Sequence, residues 1–116
     1  MIIEDNVDAA ESLREALEFS EHRVEIALDG RHALAKAREF KPEVVLCDIG
    51  LPGLDGYEVA RLFRADPFFQ RTMLVALSGY ALPSDVERAK DAGFDRHLAK
   101  PPELEEIEAL LAEAIG

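Results

Sequence analysis

Short, uninterrupted apolar runs alternate with amphipathic stretches from one end of this chain to the other, and that rhythm leaves few folds open to it. The runs are Met1–Ile3, Val24–Leu28, Val44–Cys47, Met73–Leu77 and, more weakly, Phe94–Leu98. The central ones are continuous rather than alternating, as parallel strands are when both faces of the sheet are covered. Between them, Ala10, Leu13 and Leu17 recur at spacings of three and four residues, as do Leu104, Ile107 and Leu111. Tyr57, Ala60 and Phe63 make a third helical stripe, Leu82, Val86 and Ala89 a fourth, and Ala33, Leu34 and Ala37 a weaker one. Punctuation agrees. Asp29-Gly30 opens the second helix, Pro42 follows it, Gly56 precedes the third, Pro83 falls in the first turn of the fourth, and Gly93 ends it. Five strands alternating with five helices predict an α/β domain with a parallel sheet and right-handed crossovers.

At 116 residues the chain makes one domain, 1–116. Such a chain buries roughly two-thirds of its unfolded surface, enough for a core without staples. The net charge of −11, from 24 acids against 13 bases, argues against direct nucleic-acid binding, which needs a basic patch to neutralise phosphates. It favours cations and basic protein surfaces as partners. No apolar stretch reaches the ~18 residues of a membrane span and no signal-peptide pattern opens the chain, so no membrane partner and a cytoplasmic location are expected. The single Cys47 excludes an internal disulfide and a cysteine metal cluster, and its apolar surroundings predict a buried, inert thiol. His22 and His32 fall near turns and are expected on the surface. Phe68-Phe69, after Asp66-Pro67, are expected to pack from a loop against the sheet edge. The first apolar run has no lead-in residues, which suggests a module cut from a longer protein or trimmed slightly at its start.

The polar residues that close the apolar runs carry the functional signal. Glu4 and Asp5 follow the first run, Asp48 the third, Ser78 the fourth and Lys100 the fifth. In doubly wound sheets, ligands bind beyond the carboxyl ends of the strands, where the strand order reverses. Adjacent carboxylates with ordinary pKa values near about 4 repel one another at neutral pH. A hard divalent cation relieves that repulsion, and Mg²⁺ combines one or two carboxylates with water and a phosphate oxygen. Asp48 would then serve as nucleophile toward phosphorus, with Lys100 and the Ser78 hydroxyl binding the phosphoryl oxygens.

Four segments, in order and suitably spaced, make the chain similar to the receiver domains of bacterial two-component signalling over essentially its whole length. They are Glu4-Asp5-Asn6, the loop from Asp48 through Gly50, Leu51-Pro52-Gly53 and Asp55-Gly56, then Ser78-Gly79-Tyr80, and Lys100-Pro101. The resemblance implies a flavodoxin-like (βα)5 sandwich with strand order 2-1-3-4-5. It also implies that Asp48 accepts a phosphoryl group from a phosphohistidine donor, on a histidine kinase or a histidine phosphotransfer protein. Mg²⁺ would be held by Asp5, Asp48 and the Gly50 carbonyl, with Glu4 acting mainly through water or by supporting Lys100. Ser78 would turn inward to the phosphoryl group, Lys100 would pair with it, and the Lys100–Pro101 bond would be cis. The chain would be a phosphoacceptor rather than an enzyme with a separate substrate. A dimer through the face of the fourth helix, fifth strand and fifth helix is compatible with the same resemblance, and the Asp48 loop is closer to receivers attached to hybrid sensor kinases than to those of transcription factors.

Three positions depart from the family pattern or bear on it. His97, three residues before Lys100, replaces the usual Tyr or Phe of the rotamer switch, and either marks the output face or has no signalling role. Gly50, two residues after Asp48, offers no side chain to position water, and Tyr80 is expected to cover the site instead. Two other readings are weighed against the receiver. An aspartyl-phosphate hydrolase would place a second Asp at position 50 as proton donor, and Gly50 stands there. A degenerate receiver used only as a binding module would not need Asp5, Asp48, Ser78 and Lys100 together.

Overall fold

The computed structural model describes residues 1–79 and 82–115. The strands are β1 (Ile2–Ile3), β2 (Ile26–Ala27), β3 (Val44–Asp48), β4 (Met73–Ser78) and β5 (Arg96–Ala99). The helices are α1 (Val7–Phe19), α2 (Gly30–Phe40), α3 (Gly56–Ala65), α4 (Pro83–Ala92) and α5 (Leu104–Ile115), with a 3-10 turn at Pro67–Phe69. All strand pairs are parallel, in the order β2-β1-β3-β4-β5. This is the α/β sandwich and strand order expected. Its order reverses at β1, which pairs with β2 on one side and β3 on the other.

Alternate residues of each strand feed two cores. Ile3, Val45, Cys47, Leu74 and Ala76 pack with Ala33 and Ala37 of α2, Phe63 of α3 and Ala89 of α4. Ile2, Val44, Leu46, Val75 and Leu77 pack on the other face with Ala10 and Leu17 of α1 and Ile107 of α5. A sheet buried on both faces explains why the central strands read as unbroken apolar runs.

The observed elements differ from the sequence reading in several places, each with a local cause. β2 is two residues long rather than the whole run Val24–Leu28, because it is an edge strand beside a two-residue β1, and Leu28 is already exposed. β5 starts at Arg96 rather than Phe94. The Phe94 N–H is taken by the Ala89 carbonyl at the end of α4, and Asp95 exchanges bonds with Leu74 through its N–H (2.7 Å) and its carboxylate (2.8 Å). The expected α4 stripe is only partly a core face: Ala89 is buried and so is Ala92, but Leu82 and Val86 lie exposed. The segment holding Phe68-Phe69 is a 3-10 turn, in which Phe69 is buried with its ring 4.7 Å from that of Phe63. Phe68 stays half exposed beneath Arg38. His32 lies on the surface as expected, whereas His22 is partly buried and pairs with Glu108 of α5 at 3.0 Å.

Candidate functional site

The carboxyl ends of β1 and β3 bring three acids together. One oxygen each from Glu4, Asp5 and Asp48 lies within 4.8 Å of the others. Glu4 is 4% exposed and Asp48 8%, while Asp5 faces solvent. Lys100, just past β5, reaches across to them, with Nζ 2.6 Å from Glu4 Oε1 and 3.2 Å from Asp48 Oδ2. The Lys100–Pro101 bond is cis, as expected. Its backbone N–H donates to the Ser78 carbonyl at 2.9 Å, which ties the lysine segment to the end of β4. Ser78 itself is half-buried, one residue beyond Leu77, the register partner of Asp48.

Asp48 is fixed from both sides. Its Oδ1 accepts a bond from the Gly50 N–H at 3.1 Å, and the next residue, Ile49, donates to the Leu77 carbonyl at 3.0 Å. α3 then abuts the loop directly: a Cβ on Gly56 would stand 2.6 Å from the Asp48 carbonyl oxygen and from Ile49 Cα. Only glycine allows the helix to start there.

The electrostatics follow from burial and pairing. Burial raises the Glu4 pKa, opposed by bonds from Lys100 and the Asn6 N–H and reinforced by the charge of Asp48. Burial works to lower that of Lys100, but its bonds to Glu4 and Asp48 outweigh this and the lysine ends raised. Lys100 is therefore a firm cation at neutral pH. Beneath them the Cys47 thiol is pushed far up, first by burial and then by the charges of Asp48 and Glu4, so it is the inert core group expected. Three clustered carboxylates face one lysine. Hard oxygen donors with surplus negative charge suit Mg²⁺ and not a soft metal.

The structure thus brings Glu4, Asp5, Asp48 and Lys100 into one crevice, with Gly50 bonded to Asp48 and Ser78 at the adjoining strand end. Tyr80 lies outside the described residues. His97, on β5, is half-buried beside Val86 and Phe94, and its Nε2 has no hydrogen-bond partner among the described residues. Two supporting residues received no role from the sequence reading. Asn6 caps α1 by accepting from the Ala9 N–H at 3.1 Å while its own N–H bonds Glu4, and Asp55 caps α3 by accepting from the Glu58 N–H at 2.9 Å. Both were signalled by a short polar residue directly before a helical stripe, followed in the second case by Glu at the third helical position.

The chain resembles known proteins over nearly its full length. Residues 1–112 match the family model described as response regulator receiver domain. The polar-differentiation response regulator DivK of Brucella anthropi is 32% identical over 101 residues, covering 87% of this chain and 82% of that protein. Response regulator MprA of Mycolicibacterium vanbaalenii is 36% identical over 107 residues, covering 92% of this chain but 46% of its own length. Among solved structures, the receiver domain of sensor histidine kinase PA1611 from Pseudomonas aeruginosa PAO1 superposes with a TM-score of 0.89 at 33% identity, covering 99% of this chain and 94% of the other. That structure carries a magnesium ion coordinated in its active-site cleft. Chemotaxis protein CheY4 of Vibrio cholerae gives a TM-score of 0.90 at 26% identity over 97% of this chain and 94% of its own. Fold, acidic crevice and family match converge, and the chain belongs to the response regulator receiver domains, the phosphoacceptor modules of two-component signalling.

Proposed function

We propose that residues 1–116 form a receiver whose Asp48 takes a phosphoryl group from a phosphohistidine on a histidine kinase or phosphotransfer protein. The observation that carries this is the convergence of Glu4, Asp5 and Asp48, with Lys100 paired to Glu4 and Asp48, at the point where the strand order reverses. Asp5, Asp48 and the Gly50 carbonyl would hold Mg²⁺, with Glu4 behind them. When bound, the ion supplies positive charge that offsets the clustered carboxylates and the oxygens of an incoming phosphoryl group.

The remaining work falls to the chain's own groups. A carboxylate oxygen of Asp48 forms the new O–P bond as the donor N–P bond breaks, and the donor imidazole leaves with that electron pair. The Gly50 N–H, bonded to Asp48 Oδ1, keeps the carboxylate oriented with Oδ2 toward Lys100. Lys100 binds a phosphoryl oxygen in place of Asp48 Oδ2, and the Ser78 hydroxyl donates to another. The added charge thereby draws Ser78 and the segment leading to α4 inward, and this changes the surface offered to partners.

Acetyl phosphate labelling, followed by retardation on a phosphate-affinity gel, tests the reading. Wild type is expected to label only with Mg²⁺, and Asp48→Asn to remain unlabelled. Equal labelling of Asp48→Asn overturns the assignment of the acceptor. Sustained turnover of an unrelated phosphomonoester would favour a hydrolase.

A further inference from the structure

Among the described residues, the buried side chains of α4 lie toward one end. Its buried residues, Ala89 and Ala92, are both in its second half. So is Arg88, whose guanidinium carbon stands 4.1 Å from the centre of the Tyr57 ring on α3. In the first half Val86 is 40% exposed, and the capping residue Leu82 is 60% exposed with no side-chain cap bond.

The C-terminal end is tied down by a single arginine. Arg64, near the end of α3, donates from Nε to the Gly93 carbonyl at 2.9 Å and from Nη1 to the Phe69 carbonyl at 3.0 Å. Its Nη2 donates to Asp95 Oδ2 at 2.5 Å, and the same oxygen accepts the Leu74 N–H of β4 at 2.8 Å. Gln70 holds the arginine's own backbone through Nε2 to the Arg64 carbonyl at 2.9 Å. Gly93 has a left-handed φ of 116°, and a Cβ there would stand 2.5 Å from Arg64 Cγ. Glycine therefore both ends the helix and lets the arginine stem lie against it. One guanidinium joins the end of α4 to α3, to the 3-10 turn and, through Asp95, to the sheet.

The other end of α4 begins five residues after Ser78. A pull on Ser78 is thus applied at the end whose described side chains are the more exposed, and is resisted at the end that Arg64 holds. We infer that α4 is a lever of about 15 Å hinged at Gly93, with Arg64 as the positioning residue that fixes the hinge. The inference rests on the phosphoacceptor reading of Asp48. Phosphorylation swings Leu82 and Val86 while Ala92 and Gly93 stay against α3.

Spin labels test this in the whole chain. Ser84→Cys and Lys90→Cys are each paired with a reference label at Glu39→Cys on α2; all three positions are exposed, and native Cys47 is only 1% exposed. Distances are measured with Mg²⁺, before and after addition of beryllofluoride. Residues 84 and 90 stand nine and three residues from Gly93. Wild type is therefore expected to show a displacement about threefold larger at 84, in proportion to the rise of the helix from its hinge. In Arg64→Ala the ratio falls toward one, with Asp48 labelling by acetyl phosphate unchanged. Should Arg64→Ala fail to fold, Arg64→Lys carries the same expectation, because it keeps the stem but lacks the planar fork that reaches three acceptors. Equal displacement at 84 and 90 in a labelled wild type overturns the hinge alone, as does a wild-type ratio in a folded Arg64 variant. A wild type that cannot be labelled on Asp48 overturns the phosphoacceptor reading, and the lever with it.

Discussion

Lys100 and Glu4 hold one another in place. Glu4 is 4% exposed, and a carboxylate removed from water is costly unless it is paired and hydrogen-bonded. Lys100 supplies the pairing at 2.6 Å, and the Asn6 N–H adds a bond at 3.1 Å. Lys100→Met should therefore cost about 1–3 kcal/mol, the range for leaving a buried polar group unsatisfied. Adding Glu4→Gln should recover part of that loss, because the stranded charge is gone. Urea unfolding of the two single variants and the double variant checks this; strictly additive losses would mean that the pair is not coupled. Glu4, Asp5, Asp48 and Lys100 were legible in sequence because each interrupts or closes an apolar run, and parallel strands place such residues at one edge of the sheet. The lone Nε2 of His97 was not legible. Its surroundings are set by how α4 packs on β5, which no local pattern encodes.

Among the elements, α3 abuts the Asp48 loop without contributing a site residue. Its first residue, Gly56, has no room for a side chain, since a Cβ would press within 2.6 Å of the Asp48 carbonyl oxygen and Ile49 Cα. Backbone cannot give way there as a flexible side chain would. Gly56→Ala should destabilise the domain by about 1–3 kcal/mol, as overpacking does, and should slow acetyl phosphate labelling of Asp48 in the protein that remains folded. Normal stability with normal labelling would show that the loop relaxes freely. The Gly56 position was readable as a helix start, but its contact with the Asp48 backbone was not, since only the folded crossover brings them together. β3 and β4 were read to within a residue because they are central and buried on both faces. The edge strand β2 and the start of β5 were misread where hydrophobicity and pairing part company: Leu28 is apolar yet exposed, and Phe94 closes α4 instead of entering the sheet. α4 shows the same limit. The spacing of Leu82, Val86 and Ala89 gives a face, but nothing in it says that the buried residues, Ala89 and Ala92, lie toward its C-terminal end.

For the molecule as a whole, the −11 charge and the acidic crevice link stability to protons and, on the proposed function, to Mg²⁺. The folded-state pKa of Glu4 lies above its ordinary value of 4.5, so folded protein binds that proton more readily than unfolded chain does. Although the buried Met1 amine, lowered from 8.0 to about 5, costs stability as pH falls over the same range, the contribution of Glu4 to the metal-free protein therefore grows as pH falls from neutral through its folded pKa, and levels off below 4.5. Asp29 and Glu108, whose pKa values are lowered by bonds from His32 and His22, act in the opposite direction, but only at pH below the ordinary carboxylate range. Lys100, raised above 10.5, keeps its contribution until the pH climbs past that value. Mg²⁺, held as proposed, would bind the same carboxylates in their ionised form. At a hundredfold excess over its dissociation constant it should stabilise the fold by about 2.7 kcal/mol. Protons compete with it, so the increment should be larger at pH 7 than at pH 5, and smaller in Asp48→Asn than in wild type at either pH. Urea unfolding with and without Mg²⁺ at the two pH values measures all of this in one set of curves. An increment independent of pH and untouched by Asp48→Asn would place the ion somewhere other than the crevice between β1 and β3.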